Sequence, residues 1–203
     1  LSRGGTKRRS VSNLVWVVYE NGLSPHFIEQ RIDLPLAVLT GGRTGTPYYA
    51  GIALPKLVGG RPAGDGLTVS GAAGSQTRTL PLSEMQRVMN TEFKARFDGI
   101  LFRSLTSAVL KMAMQSAASE EFGVLGGVVT AVASAATTQA DVRSWRALPY
   151  TWELARVSRP ANGQIRLRGP LGDLTVSVPD WPMTLVYIKQ PTAAAQPSIR
   201  IID

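Results

Sequence analysis

The sequence predicts an α+β fold: antiparallel β layers with one long amphipathic helix, a second small-residue helix, and a C-terminal β-sandwich-like unit. Three observations predict it. Short β-favouring runs punctuated by Gly and Pro occupy both ends of the chain. Between them Met85, Met89, Phe93, Phe97, Leu101, Leu105 and Val109 recur every four residues, and Val88, Ile100 and Met112 widen the stripe. Residues 122–140 are apolar yet built mostly of Gly, Ala and Val, a composition that lets backbones approach closely.

Taken in order, residues 1–12 read as a flexible basic arm, 13–149 as an α+β core domain, and 150–203 as a small β unit packed on or following that core. Residues 14–19 (Leu-Val-Trp-Val-Val-Tyr) suit a strand covered on both faces. Asn21-Gly22 is a hairpin-turn dipeptide, so 27–36 is expected to pair back on the first strand. Along it Phe27, Glu29, Arg31 and Asp33 alternate imperfectly with Ile28, Ile32 and Leu34. A Gly-rich loop at 40–47 precedes a third strand at 48–57, closed by Pro55. Short strands are expected at 67–69 and 76–80. Ser83 with Gln86 three residues on predicts a capping box at the start of the long helix, with Pro81 just ahead of it. A four-residue step overshoots the helical period, so the apolar stripe must drift around the helix. Glu120-Glu121 interrupts it before the small-residue helix. The remainder reads as strands at 150–158, 164–168, 174–178, 183–189 and 198–202, with turns at 160–163 and at Gly169-Pro-Leu-Gly172.

Composition narrows the classes. A chain of 203 residues suits one domain, or one with a small appended domain. With 44% hydrophobic and 18% charged residues, disorder of the whole chain is argued against. The absence of cysteine excludes disulfides and thiolate metal sites. The net charge is +8, but one cluster, Arg3, Lys7, Arg8 and Arg9, sits on the terminal arm and the other arginines are scattered. No helix carries a basic stripe and no aromatics interleave with a basic run, so nucleic acid is not the expected partner. An anionic lipid surface or cell-wall polymer suits the charge as well. The chain begins at Leu1 without Met, from which a trimmed or mature form is expected. No segment has the uninterrupted apolar length of a membrane span.

Candidate chemistry is sparse. His26 is the single histidine, and no Gly-x-Ser-x-Gly elbow accompanies it. Thr40-Gly-Gly-Arg-Thr-Gly-Thr46 exposes backbone N–H groups but is followed by Pro47 and a strand, unlike a P-loop; Gly4-Gly5-Thr6-Lys7 follows no strand. Glu120 with Glu121, and Glu92 with Asp98, are the closest carboxylate groupings and read as solvated helix faces. No catalytic residue, cofactor site or metal site is therefore expected. Asp141, Arg143, Trp145 and Arg146 form a polar-aromatic knot, read as a structural junction. Arg143 would bond back to carbonyls at the helix end and Trp145 would plug a helix–sheet junction. For residues 122–140 two readings stand: a tightly packed core helix, or a hairpin that inserts in a membrane or contacts a subunit through Gly123, Gly126, Gly127, Val128 and Ala131.

Several segments carry a resemblance. Glu20-Asn21-Gly22-Leu23, Ile52-Ala53-Leu54-Pro55, the helix through 103–111, and above all Thr138-Gln-Ala-Asp-Val-Arg-Ser-Trp-Arg-Ala-Leu-Pro149 followed by Ala155-Arg156 resemble an uncharacterised family of bacterial envelope lipoproteins. The likeness spans residues 14–170, and longer members carry tetratricopeptide-like repeats upstream. It implies a periplasmic, outer-membrane-associated location and no enzymatic activity, with some members associated with regulators of cell-wall synthesis. This chain departs from the family by lacking the repeats and the lipidated cysteine. The expectation is a structural module acting through protein partners or self-association in an envelope assembly. Peripheral contact with a membrane or an anionic cell-wall polymer is the alternative.

Overall fold

The computed structural model describes residues 13–35, 49–170 and 172–203. The basic arm at 1–12 and the Gly-rich stretch at 40–46 lie outside the described residues. The described chain is α+β, as predicted, and divides into two compact units. One comprises residues 13–25, 59–87 and 146–203; the other comprises 26–35, 49–58 and 88–145. The boundary expected at 149/150 is therefore not where the chain divides. Strands from both sides of it pair directly.

In the first unit, β1 (Leu14–Asn21) is the central strand of a five-stranded sheet. Its neighbours are β7 (Thr151–Ser158) and β10 (Met183–Gln190), with β6 (Leu80–Glu84) and β11 (Ser198–Ile202) at the edges. All pairs are antiparallel except β1 with β10, which run parallel from Leu14↔Met183 to Asn21↔Gln190. Parallel partners need a crossover between them. On the β10 side it comes from β8 (Gln164–Gly169) and β9 (Gly172–Ser177), which leave the first sheet after β7 and return at β10. They pair with β4 (Thr68–Ser70) and β5 (Gln76–Arg78) in a four-stranded antiparallel sheet. The sandwich expected at the C-terminal end thus also takes in β1, β4, β5 and β6.

Period-two alternation builds the core. Val15, Val17 and Tyr19 of β1, Ala155 and Val157 of β7, and Val186 and Ile188 of β10 point inward. They meet Val69, Ile165, Leu167 and Val176 of the second sheet in one cluster. Each fully buried Val, Leu or Ile contributes about 1.5–3 kcal/mol. On the opposite face of β1, Trp16 carries the Arg156 guanidinium 5.6 Å from its ring centroid.

Asn21-Gly22 does not make the expected hairpin turn. β2 (His26–Pro35) pairs with β3 (Tyr49–Val58) instead of with β1. Asn21 is instead a buried hub. Its Oδ1 accepts from the Ala63 and Gly64 amides at 2.7 and 3.3 Å; its Nδ2 donates to Gly64 O at 2.8 Å and Glu153 Oε1 at 2.7 Å. The Glu153 carboxylate also accepts from Thr151 Oγ1 at 3.1 Å and from Thr79 Oγ1, which in turn accepts from the Leu67 amide at 2.9 Å. Gly22 has φ +76°, and a Cβ there would lie 2.1 Å from Arg61 O, so the chain can leave β1 along this path only with glycine.

The second unit contains the β2–β3 ribbon and most of α1 (Met85–Thr137). β3 runs past Pro55 rather than closing at it. Each strand of a two-stranded ribbon has a free edge, where a residue without an N–H is tolerated. The capping box is not formed: Ser83 lies in β6, and Gln86 Oε1 accepts from the Gly60 amide at 3.0 Å. α1 does not stop at Glu120-Glu121. It breaks at Gly123, where φ is +66° and ψ −161°.

Two outcomes follow. Asn21→Ala strands the Ala63 amide inside the sandwich and removes one of the two hydrogen bonds to Glu153 Oε1. A loss of about 1–3 kcal/mol for each buried group left unpaired is expected, read as a lower urea midpoint at unchanged slope. Burial and the neighbouring Glu153 charge push the Tyr19 phenol up, while burial and its bond to Glu20 push Tyr187 up to about 12. The folded state thus holds these protons more tightly than the unfolded chain, whose tyrosines titrate near about 10. The associated stability is complete below pH 10 and is lost as pH rises from 10 towards 12. Urea midpoints across that window should fall, and less steeply in Tyr187→Phe.

Candidate interaction surface

The surface is built from α1. Its four-residue apolar repeat drifts as the helical period requires: Met89, Phe93, Phe97 and Leu101 are half-buried, whereas Leu105 and Val109 have rotated out to solvent. Ala108 and Gln115 take the buried places. Phe27 of β2 packs on Phe93 at 5.4 Å between ring centroids, and Phe93 packs edge-on against Phe97 at 5.4 Å.

At Gly123 the helix reverses. The conformation lies in a region that essentially only glycine adopts. Residues 124–137 then run back along 101–122. Lys111 Nζ donates to Thr138 Oγ1 at 2.8 Å and Ser134 O at 3.4 Å. A Cβ on Gly126 would lie 2.5 Å from Ala118 O, so glycine is what allows the limbs to approach so closely. Ala131 is buried as well. The end of the second limb is held from β2, where Arg31 Nη2 donates to Ala135 O at 2.8 Å and Glu29 Oε2 accepts from the Ala140 amide at 2.8 Å. A cation at a helix C-terminus is the arrangement expected of Arg143, but Arg31 and Lys111 supply it here.

The small residues therefore do two jobs. Gly123 and Gly126 shape the hairpin and Ala131 is buried, whereas Val128 is exposed; Gly127 lies outside the described side chains. The reading of 122–140 as a core helix is overturned, because its large apolar side chains face solvent. Phe122 is 69% exposed, Leu125 78%, and Val129 and Val132 are similar. The first limb adds Phe102, Val109, Leu110 and Met114, also mostly exposed. Thr106, Thr130 and Thr137 return their hydroxyls to carbonyls in their own helix at 2.9–3.0 Å, which leaves the outer face nearly free of polar demand. No described helix is long and apolar enough to cross a membrane. These exposed side chains make the hairpin a candidate interaction surface.

The expected junction is not buried. Trp145 is 79% exposed and Arg146 is exposed, so neither plugs an interior. Arg143 pairs with Asp141 at 2.8–2.9 Å, and its guanidinium holds the Asp141 carboxyl down to about 2. His26 is half-buried at the first position of β2, Glu92 pairs with Arg96, and Glu120 and Glu121 are exposed beside the reversal. Among the described residues no group of three or more His, Asp or Glu is placed to hold a metal ion. The sequence signal for the hairpin was present but misplaced, in that Glu120-Glu121 drew the boundary three residues early while Gly123 carries the break.

Comparison with protein-family models, with curated proteins and with solved structures finds no match to this chain.

Replacing Gly123 by Ala strains the reversal by about 1–3 kcal/mol and favours an uninterrupted helix. The cysteine-free chain allows spin labels at Met114→Cys and Val132→Cys. The interlabel distance by pulsed electron resonance should lengthen or broaden in Gly123→Ala, and an unchanged distance would show that the reversal does not depend on glycine.

Proposed function

We propose that this chain is a non-catalytic structural module of a bacterial cell-envelope assembly, acting through protein–protein contacts made by the outward face of the α1 hairpin. The observation that carries the reading is the run of exposed Phe102, Val109, Leu110, Met114, Phe122, Leu125, Val129 and Val132 on a hairpin whose inner face is already satisfied. A second copy of the chain is the simplest partner, since an apolar patch repeated by symmetry covers itself. A periplasmic, outer-membrane-associated location rests on the resemblance of residues 14–170 to envelope lipoproteins.

A second reading has its own observation. Arg78, Arg166 and Arg168 are exposed on the four-stranded sheet, where the single carboxylate of Asp173 pairs with Arg168 and lies within the field of Arg166. Such a face would contact an anionic polymer or headgroup layer, and its binding would weaken steeply with salt.

Light scattering coupled to size exclusion tests the leading reading. The protein at tens of micromolar should elute as more than a monomer. Leu125→Asp with Val129→Asp should return it to the monomer with its circular-dichroism spectrum unchanged, because both side chains are exposed within the chain itself. A monomeric parent chain overturns self-association. Salt-sensitive co-sedimentation of that monomer with anionic vesicles would favour the second reading.

A further inference from the structure

Within the second unit a cavity of about 490 Å³ lies against the start of the hairpin, lined by the apolar side chains of Phe27, Met89, Phe93 and Ile100. That volume falls inside the roughly 300–1,000 Å³ range of small-molecule sites. A smaller cavity of about 180 Å³ adjoins it, and the two share Ala53, Arg103, Ser104 and Gln139. Ser107, Lys111 and Thr138 give the smaller one a polar lining.

The charges around this two-part cavity are not equivalent. Arg96 is paired with Glu92 and Arg143 with Asp141 at the apolar end. Arg103 and Lys111 have no carboxylate partner among the described residues. Arg103 spends only its Nε–H, on Gly99 O at 3.1 Å, and Lys111 bonds the neutral Thr138 hydroxyl and the Ser134 carbonyl. Both line the smaller cavity. Two cations without counter-ions at one end of a cleft, and an aromatic and aliphatic lining at the other, complement a molecule with the reverse polarity. Arginine's planar fork matches carboxylate or phosphate oxygens.

We propose that this cleft binds a single-chain amphiphile with an anionic head, its hydrocarbon chain against Phe27, Phe93 and Ile100 and its head between Arg103 and Lys111. The site is separate from the outward hairpin face and does not rest on the assembly reading.

Calorimetric titration of the intact chain with decanoate and with decyl phosphate, each below its micelle concentration, tests it, with decanol as the neutral-head control. One equivalent of at least one anion should bind saturably, roughly tenfold or more tighter than decanol. Arg103→Gln with Lys111→Gln should remove that margin and leave decanol unchanged, and Ser104→Trp, which fills the junction of the two cavities, should abolish binding. Circular dichroism establishes that each variant is folded. No saturable binding, several equivalents per chain, equal affinity for decanol, or anion binding unchanged in the Arg103/Lys111 variant overturns the proposal.

Discussion

The exposed apolar face of the α1 hairpin depends on one backbone geometry, the reversal at Gly123. A helix that continued straight through that residue would separate 101–122 from 124–137. Gly126, Ala131, Lys111 and Thr138 would then lose the neighbours that give them meaning. Once the limbs fold back, the small residues and the Lys111 ammonium are used on the inside, and Phe122, Leu125, Val129 and Val132 are left outside. The exposure of Phe122 and Leu125 is thus a consequence of the tight inner packing. Close approach needs residues with little side chain, so the bulk has to sit on the other face.

The sandwich rests on a different constraint, the satisfaction of buried polar groups. Asn21, Thr79, Thr151 and Glu153 lie inside and are mutually bonded. The hub ties the end of the central strand to the 61–66 loop and to β7, so an amide side chain does what a tight turn would have done. A buried network of this kind stabilises only while each member is paired. Glu20 forms a second node: its Oε1 accepts from the Trp152 indole at 3.2 Å and from the Tyr187 hydroxyl, and Lys189 approaches its Oε2 at 3.4 Å. The two nodes lie at neighbouring positions on β1 and serve opposite faces of the same sheet.

The first unit is held by a hydrophobic cluster shared between two sheets, and the second presents apolar groups outward on both its hairpin and its ribbon, where Ile28 and Ile32 are exposed. An unpaired two-stranded ribbon is only marginally stable by itself. Arg31 and Glu29 bond it to the end of the helical hairpin, which gives the polar face of β2 a use that alternation alone did not suggest.

Local patterning by itself determined the element types. Most strands in the described residues fall on β-favouring runs, with β6 the exception because its Ser83 reads as a helix cap, and the four-residue repeat announced both the long helix and its drift. These features depend on neighbours a few residues apart, and so they are legible in one dimension. Tertiary structure alone decided which strands pair, whether Asn21-Gly22 turns or anchors, and whether Trp145 and 122–140 are inside or out. Those outcomes are set by contacts across long separations, such as Asn21 with Glu153 and Lys111 with Thr138, and each depends on what else competes for the same buried space. Gly and Ala permit close packing against any partner, so composition could identify the surface-shaping segment but only the fold could say which face of it remained open.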